Sequence, residues 1–93
     1  MTKSDLINAL NSEYNITKQE AATIVNVCFN EMSAALASGD RVEIRGLGAF
    51  SVKKYEAYNG RNPKTGEVIK VKPKKLPFFK CGKELKERVD PKI

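Results

Sequence analysis

The side chains in this sequence that could do chemistry are mostly cations. Lys and Arg number 17 against 11 Asp and Glu, so the 93 residues carry a net charge of +6, and the sequence contains no histidine. Histidine is the commonest general base and metal ligand. Without it the sequence offers neither a nucleophile paired with a base nor a metal-binding cluster. These residue types therefore predict a binding protein without a metal or a cofactor, and not an enzyme.

The charge is divided unevenly along the chain. Residues 1–40 hold two bases and five acids, for a net charge of −3, whereas residues 41–93 hold 15 bases and six acids, for +9. Eight of those bases and only two acids fall within residues 53–75. An acidic scaffold joined to a basic surface predicts a polyanionic partner, with nucleic acid preferred over an anionic membrane.

The chain length predicts one small domain over residues 1–93. No apolar run approaches the roughly 18 residues of a membrane span, and residues 1–5 are too polar for a secretory signal. The two cysteines are far apart and form no disulfide framework, so Cys28 is expected to be a small buried hydrophobe and Cys81 a loop thiol. We therefore expect a cytoplasmic protein with no membrane partner and no small-molecule ligand.

Residues 1–40 predict a helical hairpin. Thr2 followed by Asp5, and Thr17 followed by Glu20, are both typical of capping boxes. Apolar residues then recur at three- and four-residue spacings, and Gly39 predicts the end of a second helix that runs to about residue 38.

The hydrophobic period changes to two after residue 40. Alternation over 41–45 and 49–52 predicts two strands joined by a tight turn at 46–48, with Phe50 and Val52 on the inner face. Residues 41–54 and 76–81 form the expected sheet body, where 76–79 return the chain to the apolar core. Residues 55–75 form an extended β-ribbon arm with a loop tip at 59–66. In its return strand, 68–75, alternation places Lys70, Lys72 and Lys74 on one face, and Pro73 indicates an edge strand. A short last helix, about 83–89, lies within the C-terminal segment 82–93.

The core predicted for this arrangement is too small for the apolar surface that the sequence supplies. If the arm projects into solvent, only about 70 residues remain to build the body, and chains of that size rarely supply much stability alone. Dimerisation is the simplest remedy. The residues expected in a dimer core are Phe29, Val42, Ile44, Phe50 and Phe79.

Four segments of the sequence resemble one family in register. They are GRNPKTGE at residues 60–67, RGLGAF at 45–50, FKCGKELK at 79–86 and MTKSDLI at 1–7. Together they resemble the bacterial histone-like HU and integration host factor (IHF) family over essentially the whole chain. The resemblance implies an α+β fold: an intertwined dimer of a helical hairpin and a three-stranded antiparallel sheet, with a β-ribbon arm and a short C-terminal helix.

The resemblance also implies a function. Proteins of this family bind the minor groove of duplex DNA as dimers, bend it and organise the nucleoid or recombination complexes, and HU and IHF are themselves standard examples of minor-groove binding. Pro63 at the arm tip is the expected wedge between base pairs, because its ring is rigid and has no N–H that needs a partner. Arg61, Asn62 and Lys64 would flank it in the groove.

Further contacts are expected along the arm and on the body. Lys3 and Ser4 lie at a helix start, where free N–H groups favour phosphate, and Arg45 lies in the turn that enters the arm. The lysines expected to contact phosphates are Lys53, Lys54, Lys70, Lys72, Lys74, Lys75, Lys80, Lys83 and Lys86. Such contacts predict a binding constant that falls steeply with salt.

Several alternatives stay open at the level of sequence. The basic arm is also compatible with an RNA-binding module or with a purely structural dimer. Within the family, Glu43 and Arg45 resemble the beta subunit of IHF, so a site-selective subunit in a heterodimer competes with a sequence-neutral homodimer. The sequence also departs from the family: Tyr55 and Tyr58 stand where arginine is frequent, Leu47 replaces a phenylalanine, and Cys81 replaces a proline.

Overall fold

The computed structural model describes residues 1–91, so the last two residues of the expected tail lie outside the described part. Three helices and five strands follow one another in the order α1, α2, β1, β2, β3, β4, β5 and α3. Their bounds are α1 Lys3–Glu13, α2 Lys18–Ala37, β1 Val42–Ile44, β2 Gly48–Tyr55, β3 Tyr58–Arg61, β4 Val68–Val71, β5 Lys74–Cys81 and α3 Lys83–Val89.

The α1–α2 hairpin begins each helix with the capping box that the sequence predicts. The Thr17 hydroxyl accepts from the Glu20 N–H at 3.1 Å, and the Glu20 carboxylate accepts from the Thr17 N–H at 3.1 Å. The backbone N–H and then the hydroxyl of Thr17 hold the pKa of Glu20 below its ordinary value. Helix α2 ends where predicted, with Ser38 as its C-cap. Between the helices, the side-chain amide of Asn11 donates to the Ile16 carbonyl at 2.7 Å, which closes the turn.

Strands β1, β2 and β5 form an antiparallel sheet in the order β1-β2-β5. The turn between β1 and β2 comprises residues 45–47, because Ile44 pairs with Gly48 and the Leu47 N–H donates to the Ile44 carbonyl at 3.0 Å. The predicted turn at 46–48 is therefore one residue too late, since Gly48 already belongs to β2. A Cβ at Gly48 would collide with the Lys80 carbonyl oxygen and lie 2.8 Å from the Phe79 ring, so β2 and β5 approach closely only with glycine here.

Strands β3 and β4 form a separate two-stranded ribbon at the end of β2 and β5. The structure corrects the predicted loop tip at 59–66, because residues 59–61 belong to β3 and the loop comprises residues 62–67. It also corrects the single return strand at 68–75, which is interrupted at residues 72 and 73. Pro73 explains the interruption, since proline has no N–H to donate to the ladder.

The interruption of the ribbon leaves its register unchanged. Tyr55 pairs with Lys74 on one side of the break, and Tyr58 pairs with Val71 on the other. Two residues on each side of the ribbon are therefore left unpaired at the break. Because side chains alternate with period two, every residue beyond the break keeps the face that it would have in an unbroken ribbon.

The sheet has two unlike faces. One, the helix face, carries Phe50, Val52 and Lys54 of β2 with their partners Phe79, Pro77 and Lys75 of β5. The other, the open face, carries Ala49, Ser51, Lys53 and Tyr55 with their partners Lys80, Phe78, Leu76 and Lys74. Helix α2 packs against β1 and β2. On the helix face the centroids of the Phe50 and Phe79 rings lie 4.7 Å apart, which fits the predicted inner position of Phe50.

The single chain buries very little. Within residues 1–91, only Ala21 and Val25 are buried apolar residues, both of them on α2. The accessible surface of the chain is 8311 Å², against about 5,400 Å² for a compact protein of this mass. The radius of gyration is 19.4 Å, against about 12 Å for a compact domain of this length. The projecting ribbon accounts for part of the excess and uncovered apolar side chains for the rest.

Two burial predictions and one loop assignment are wrong for the isolated chain. Cys28 is exposed, because the single chain covers only a narrow part of α2. Cys81 is also exposed, but it is the last residue of β5 and not a loop thiol. Residues 76–79 do not return to a core, since every residue of β5 is exposed.

Candidate nucleic-acid interface

The open face of the sheet forms the floor of a wide groove of about 940 Å³. Four bases and one acid line it, so the groove is strongly cationic. The bases are Arg41, Arg45, Lys53 and Lys80, and the acid is Glu43. Its shallow, open form suits a long polyanion better than a small molecule, because pockets for small ligands enclose most of the ligand surface.

The sequence reasoning missed one cation of this groove, Arg41. Its guanidinium donates to the Glu43 carboxylate at 2.7 Å, and both side chains are about two-thirds exposed (62% and 67%). An exposed pair of this kind contributes little to stability. The ion pair does neutralise Glu43, which is the one acid of the groove. Glu43 thus pairs with Arg41 and not with Arg45. The sequence could have identified Arg41, because the alternation predicted over residues 41–45 places it on the same face as Glu43.

Two aromatic side chains on the open face were also missed as parts of the surface. The Lys53 ammonium lies 3.6 Å from the centroid of the Phe78 ring. The Lys74 ammonium lies 5.8 Å from the centroid of the Tyr55 ring. Both distances fall within the range of cation–π attraction. The pairing of β2 with β5 could have identified these neighbours, but the sequence alone does not give the register.

The constant register extends the open face along the arm. Lys70, opposite Asn59, and Arg61, opposite Val68, occupy open-face positions, whereas Lys72 lies within the interruption, outside both strands. Lys70 and Lys74 of the predicted row thus continue the cationic floor that Lys53 and Lys80 begin. The basic side chains are in phase from the groove to the arm tip.

Two predicted phosphate contacts lie on the other side. Lys54 and Lys75 are directly opposite each other on the helix face. They line a hollow with the end of α2, including Ser38 and Gly39. The last turn of α2 contains no basic residue, so Lys54 and Lys75 supply the basic side chains of this hollow.

The arm tip is a closed loop that presents Pro63. The Asn62 N–H donates to the Glu67 carbonyl at 2.8 Å, and the Gly66 N–H donates to the Asn62 carbonyl at 2.8 Å. The Asn62 side-chain oxygen accepts from the Lys64 N–H at 2.9 Å, so it forms a turn that spans Pro63. Pro63 is exposed, whereas Asn62 is half-buried.

The remaining predicted contacts lie on helices outside the groove lining. Lys3 and Ser4 occupy the first turn of α1, where the Thr2 hydroxyl and the Asp5 carboxylate form the capping box and Asp5 adds a negative charge. On α3, Lys83 lies 3.9 Å from Glu87 in an exposed pair, and Lys86 follows in its last turn. The structure therefore brings together the sheet and arm residues and leaves these four apart.

Residues 1–91 contain no cluster of three or more groups able to hold a metal ion. A helix long and apolar enough to cross a bilayer is likewise absent from this part of the chain.

Comparison with known proteins gives consistent matches. The sequence model of a family described as "Bacterial DNA-binding protein" matches residues 1–90. The structure is similar to HU from Anabaena in a cocrystal with DNA, with a TM-score of 0.85, 33% identity and coverage of 99% of this chain and 100% of that one. HU from Thermotoga maritima matches with a TM-score of 0.67, 28% identity and coverage of 97% and 100%. A mutant of transcription factor 1 shares the fold, with a TM-score of 0.66, 24% identity and coverage of 97% and 91%.

Proposed function

Because the chain belongs to the bacterial DNA-binding protein family, we propose that two copies of it bind the minor groove of duplex DNA and bend the duplex. Membership confirms the resemblance and the fold class inferred from the sequence. It also confirms that the protein is not an enzyme. The groove contacted and the bending mechanism are the parts that we propose, and the likeness to the beta subunit of IHF stays a prediction from the sequence.

The observation that carries the proposal is the phase of the basic side chains. Lys80 and Lys53 on the sheet, then Lys74, Lys70 and Arg61 toward the tip, all occupy the open face because the register is the same on both sides of Pro73. Successive phosphates of a duplex form a row of negative charge, and bases along one side of a long ribbon match such a row. A purely structural dimer has no need for this alignment.

Dimerisation is supported by the apolar surface that one chain leaves uncovered. Phe29, Ile44 and Phe79 are each 37–41% exposed, although aromatic and branched side chains of this size normally form the core. We propose that these residues pack with Val42 and Phe50 against their copies in a second chain. Obligate dimer interfaces bury a total of about 2,000–5,000 Å², and a dimer presents two arms to one duplex.

The arm tip supplies the proposed bending element. An apolar wedge inserted between base pairs costs unstacking energy, which is offset when the bent duplex contacts more protein. Pro63 is exposed at the end of the ribbon, and the turn formed by the Asn62 side chain holds it there. Arg61 and Lys64 flank it for contacts in the groove.

The remaining phosphate contacts are proposed in two groups. Open-face residues of the sheet and arm contribute most, and the flanking groups contribute less because they lie outside the groove or next to the end of α2. The flanking groups are Lys3, Ser4, Lys54, Lys75, Lys83 and Lys86. We propose the chromosome, in the nucleoid, as the place where the protein acts.

Bending of a labelled duplex tests the proposal. The molecular mass of the purified protein is first measured in solution, where we expect the mass of two chains. The protein is then titrated into a duplex of about 30 base pairs that carries a dye at each end. We expect energy transfer to rise as the ends approach. Pro63→Ala should reduce the bend more than it reduces affinity at low salt, because the phosphate contacts remain.

The matched control substitutes a residue of the same loop. Thr65→Ser changes the loop at an exposed position, keeps the hydroxyl that accepts from the Glu67 N–H at 3.3 Å, and should leave the bend intact. A monomeric protein, or a duplex that stays straight at saturation, would contradict the proposed function. Equal losses of bending and affinity in Pro63→Ala would contradict the wedge alone.

A further inference from the structure

The open face carries two aromatic rings where the body of the sheet continues into the arm, and each lies beneath an ammonium group. We propose that Phe78 and Tyr55 are positioning residues for DNA binding, which hold the ammonium groups of Lys53 and Lys74 toward the duplex. This inference rests on the proposed function and assigns its cationic side chains to two classes, those held by an aromatic ring and those free in solvent.

The register explains why these side chains meet. Lys53 pairs with Leu76, and Phe78 lies two residues further along β5, so Lys53 and Phe78 are diagonal neighbours on one face. A diagonal pair lies within reach of a long side chain and an aromatic ring, and the Lys53 ammonium lies 3.6 Å from the ring centroid. Tyr55 is directly opposite Lys74, whose ammonium lies 5.8 Å from the ring centroid. The first contact is therefore the stronger one.

A ring beneath an ammonium prepares it for a phosphate in two ways. A free lysine loses rotamer freedom when it is fixed against a partner, and a lysine already held loses less. The ring also covers one side of the ammonium and displaces water there, while N–H groups on the other side stay available to the groove. Phosphate then binds a cation that is already oriented and partly desolvated.

Carboxylates do not compete for these two cations. Within residues 1–91, the ion pairs join Arg41 to Glu43 and Lys83 to Glu87. Lys53 and Lys74 are held by rings instead. A carboxylate partner would have to be displaced by phosphate, whereas a ring remains in contact while phosphate binds the opposite side of the ammonium.

Aromatic side chains on the helix face have different neighbours. The Phe79 ring contacts the Phe50 ring in a tilted arrangement, with 46° between the ring planes. Tyr58 pairs with Val71 and is 58% exposed, and within the described residues its ring has no ammonium over it. The arrangement is thus confined to the face that carries the groove, and Tyr58 offers a matched aromatic control on the same ribbon.

Double-mutant cycles on DNA affinity test the inference, with Phe78→Leu, Lys53→Met and the double variant. Phe78→Leu should weaken binding about two- to fivefold, the range for an exposed cation–π contact. The effect should disappear in the Lys53→Met background. Tyr55→Leu should act in the same way on Lys74 by about twofold or less, because that contact is longer. Tyr58→Leu should change neither affinity nor salt dependence.

Two further readouts separate positioning from charge and from folding. Phe78→Leu should leave the slope of binding against salt unchanged, whereas Lys53→Met should reduce it by about 0.9 for one lost phosphate contact. Phe78→Tyr keeps the ring and should restore the affinity of the natural chain. In free protein, the methylene protons next to the Lys53 ammonium should be shifted upfield by the ring in NMR spectra, and Phe78→Leu should abolish that shift.

Three results would overturn the inference. Equal effects of Phe78→Leu in the natural chain and in the Lys53→Met variant would mean that the ring contacts DNA itself. Tighter binding by Phe78→Leu would mean that the ring withholds the ammonium from phosphate. An unshifted Lys53 methylene would mean that the contact is not formed in solution. A natural chain that binds no duplex would instead contradict the proposed function, and this is established before any cycle is measured.

Discussion

The two faces of the three-stranded sheet carry different kinds of side chain, although the same strands supply both. On the helix face, β2 packs against α2 and places its Phe50 ring against Phe79 of β5, and the two lysines there lie beside the end of that helix. On the open face, the same strands place lysines and exposed aromatic rings along a groove that continues in phase into the arm. One strand thus serves stability and binding at alternate residues, because side chains in a strand alternate between faces.

The comparison teaches that a lysine in this chain cannot be assigned from its sequence position alone. Lys53 and Lys54 are adjacent, as are Lys74 and Lys75, but within each pair one residue faces the groove and the other faces the helix side. Substitutions that differ by one residue should therefore have different consequences, which the following experiments measure from the largest expected effect to the smallest.

The largest effect is expected from removing the open-face charges of the arm. Lys70, Lys72 and Lys74 changed together to Met should reduce the slope of the binding constant against salt by about two to three, because each phosphate contact contributes about 0.9. Binding of a duplex of about 30 base pairs is measured between about 50 and 200 mM salt. Lys54 and Lys75 changed to Met serve as the helix-face control and should reduce the slope less. Equal slopes for the two variants would remove the distinction between the faces.

A stability effect is expected at the glycine where β2 and β5 meet most closely. Gly48→Ala should lower the free energy of unfolding by about 1–3 kcal/mol, the usual cost of overpacking, because its Cβ would collide with the backbone at Lys80. Gly60→Ala in the arm should change it by less than about 0.5 kcal/mol, since that Cβ would have ordinary contacts of 3.5 Å. Urea unfolding at one protein concentration measures both, and a Gly48→Ala chain of undiminished stability would contradict the close approach.

A smaller effect of opposite sign is expected from the lysine pair on the helix face. Lys54 and Lys75 are directly opposite, and like charges so placed are destabilising. Lys75→Glu should therefore raise the stability by about 0.2–1 kcal/mol, the range for an opposite-charge pair across strands. Lys74→Glu changes the neighbouring residue on the open face, where Tyr55 is opposite, and should give no gain. Thermal unfolding at low salt compares the two variants. A gain in stability in both would contradict the assignment of Lys74 and Lys75 to different faces.

The smallest effect is expected away from both faces, at the start of α2. The pKa of Glu20 is lowered in the folded chain by its hydrogen bonds to Thr17. Its ionised form therefore stabilises the fold above the ordinary value of 4.5, and this contribution is lost as pH falls through the lower folded value. Glu20→Gln should have a slightly lower melting temperature than the natural chain at neutral pH, with the difference shrinking below the ordinary pKa. A difference that is constant with pH would contradict the capping contribution of the carboxylate.

Local sequence signals predicted most of the secondary structure. The capping boxes at Thr2 and Thr17, the end of α2 near residue 38 and the last helix at Lys83–Val89 agree with the structure because caps and apolar periods act within a few residues. The turn into β2 was misplaced by one residue. Its two glycines look alike in sequence and both have a positive φ, but only at Gly48 would a Cβ collide with the backbone of β5.

Burial was predicted less well than local structure. Cys28 lies on an apolar stripe and was expected inside, yet it is exposed, because a hydrophobic pattern identifies which side of a helix is apolar and not which partner covers it. The nucleic-acid interface was predicted as a set of cations in which only the arm residues Lys70, Lys72 and Lys74 were assigned to a common face. Arg41 and Phe78 join it through cross-strand neighbours, which a single strand does not reveal.

The sequence by itself determined the helices, the alternation of the strands, the cationic half of the chain and the exposed proline turn, since each depends on residues close together along the chain. Only the tertiary structure decided which alternate residues share a face, that the register continues across Pro73, and that Lys53 and Lys54 lie on opposite sides of the sheet. These depend on the pairing of strands far apart in sequence, where a slip of one residue would exchange the two faces.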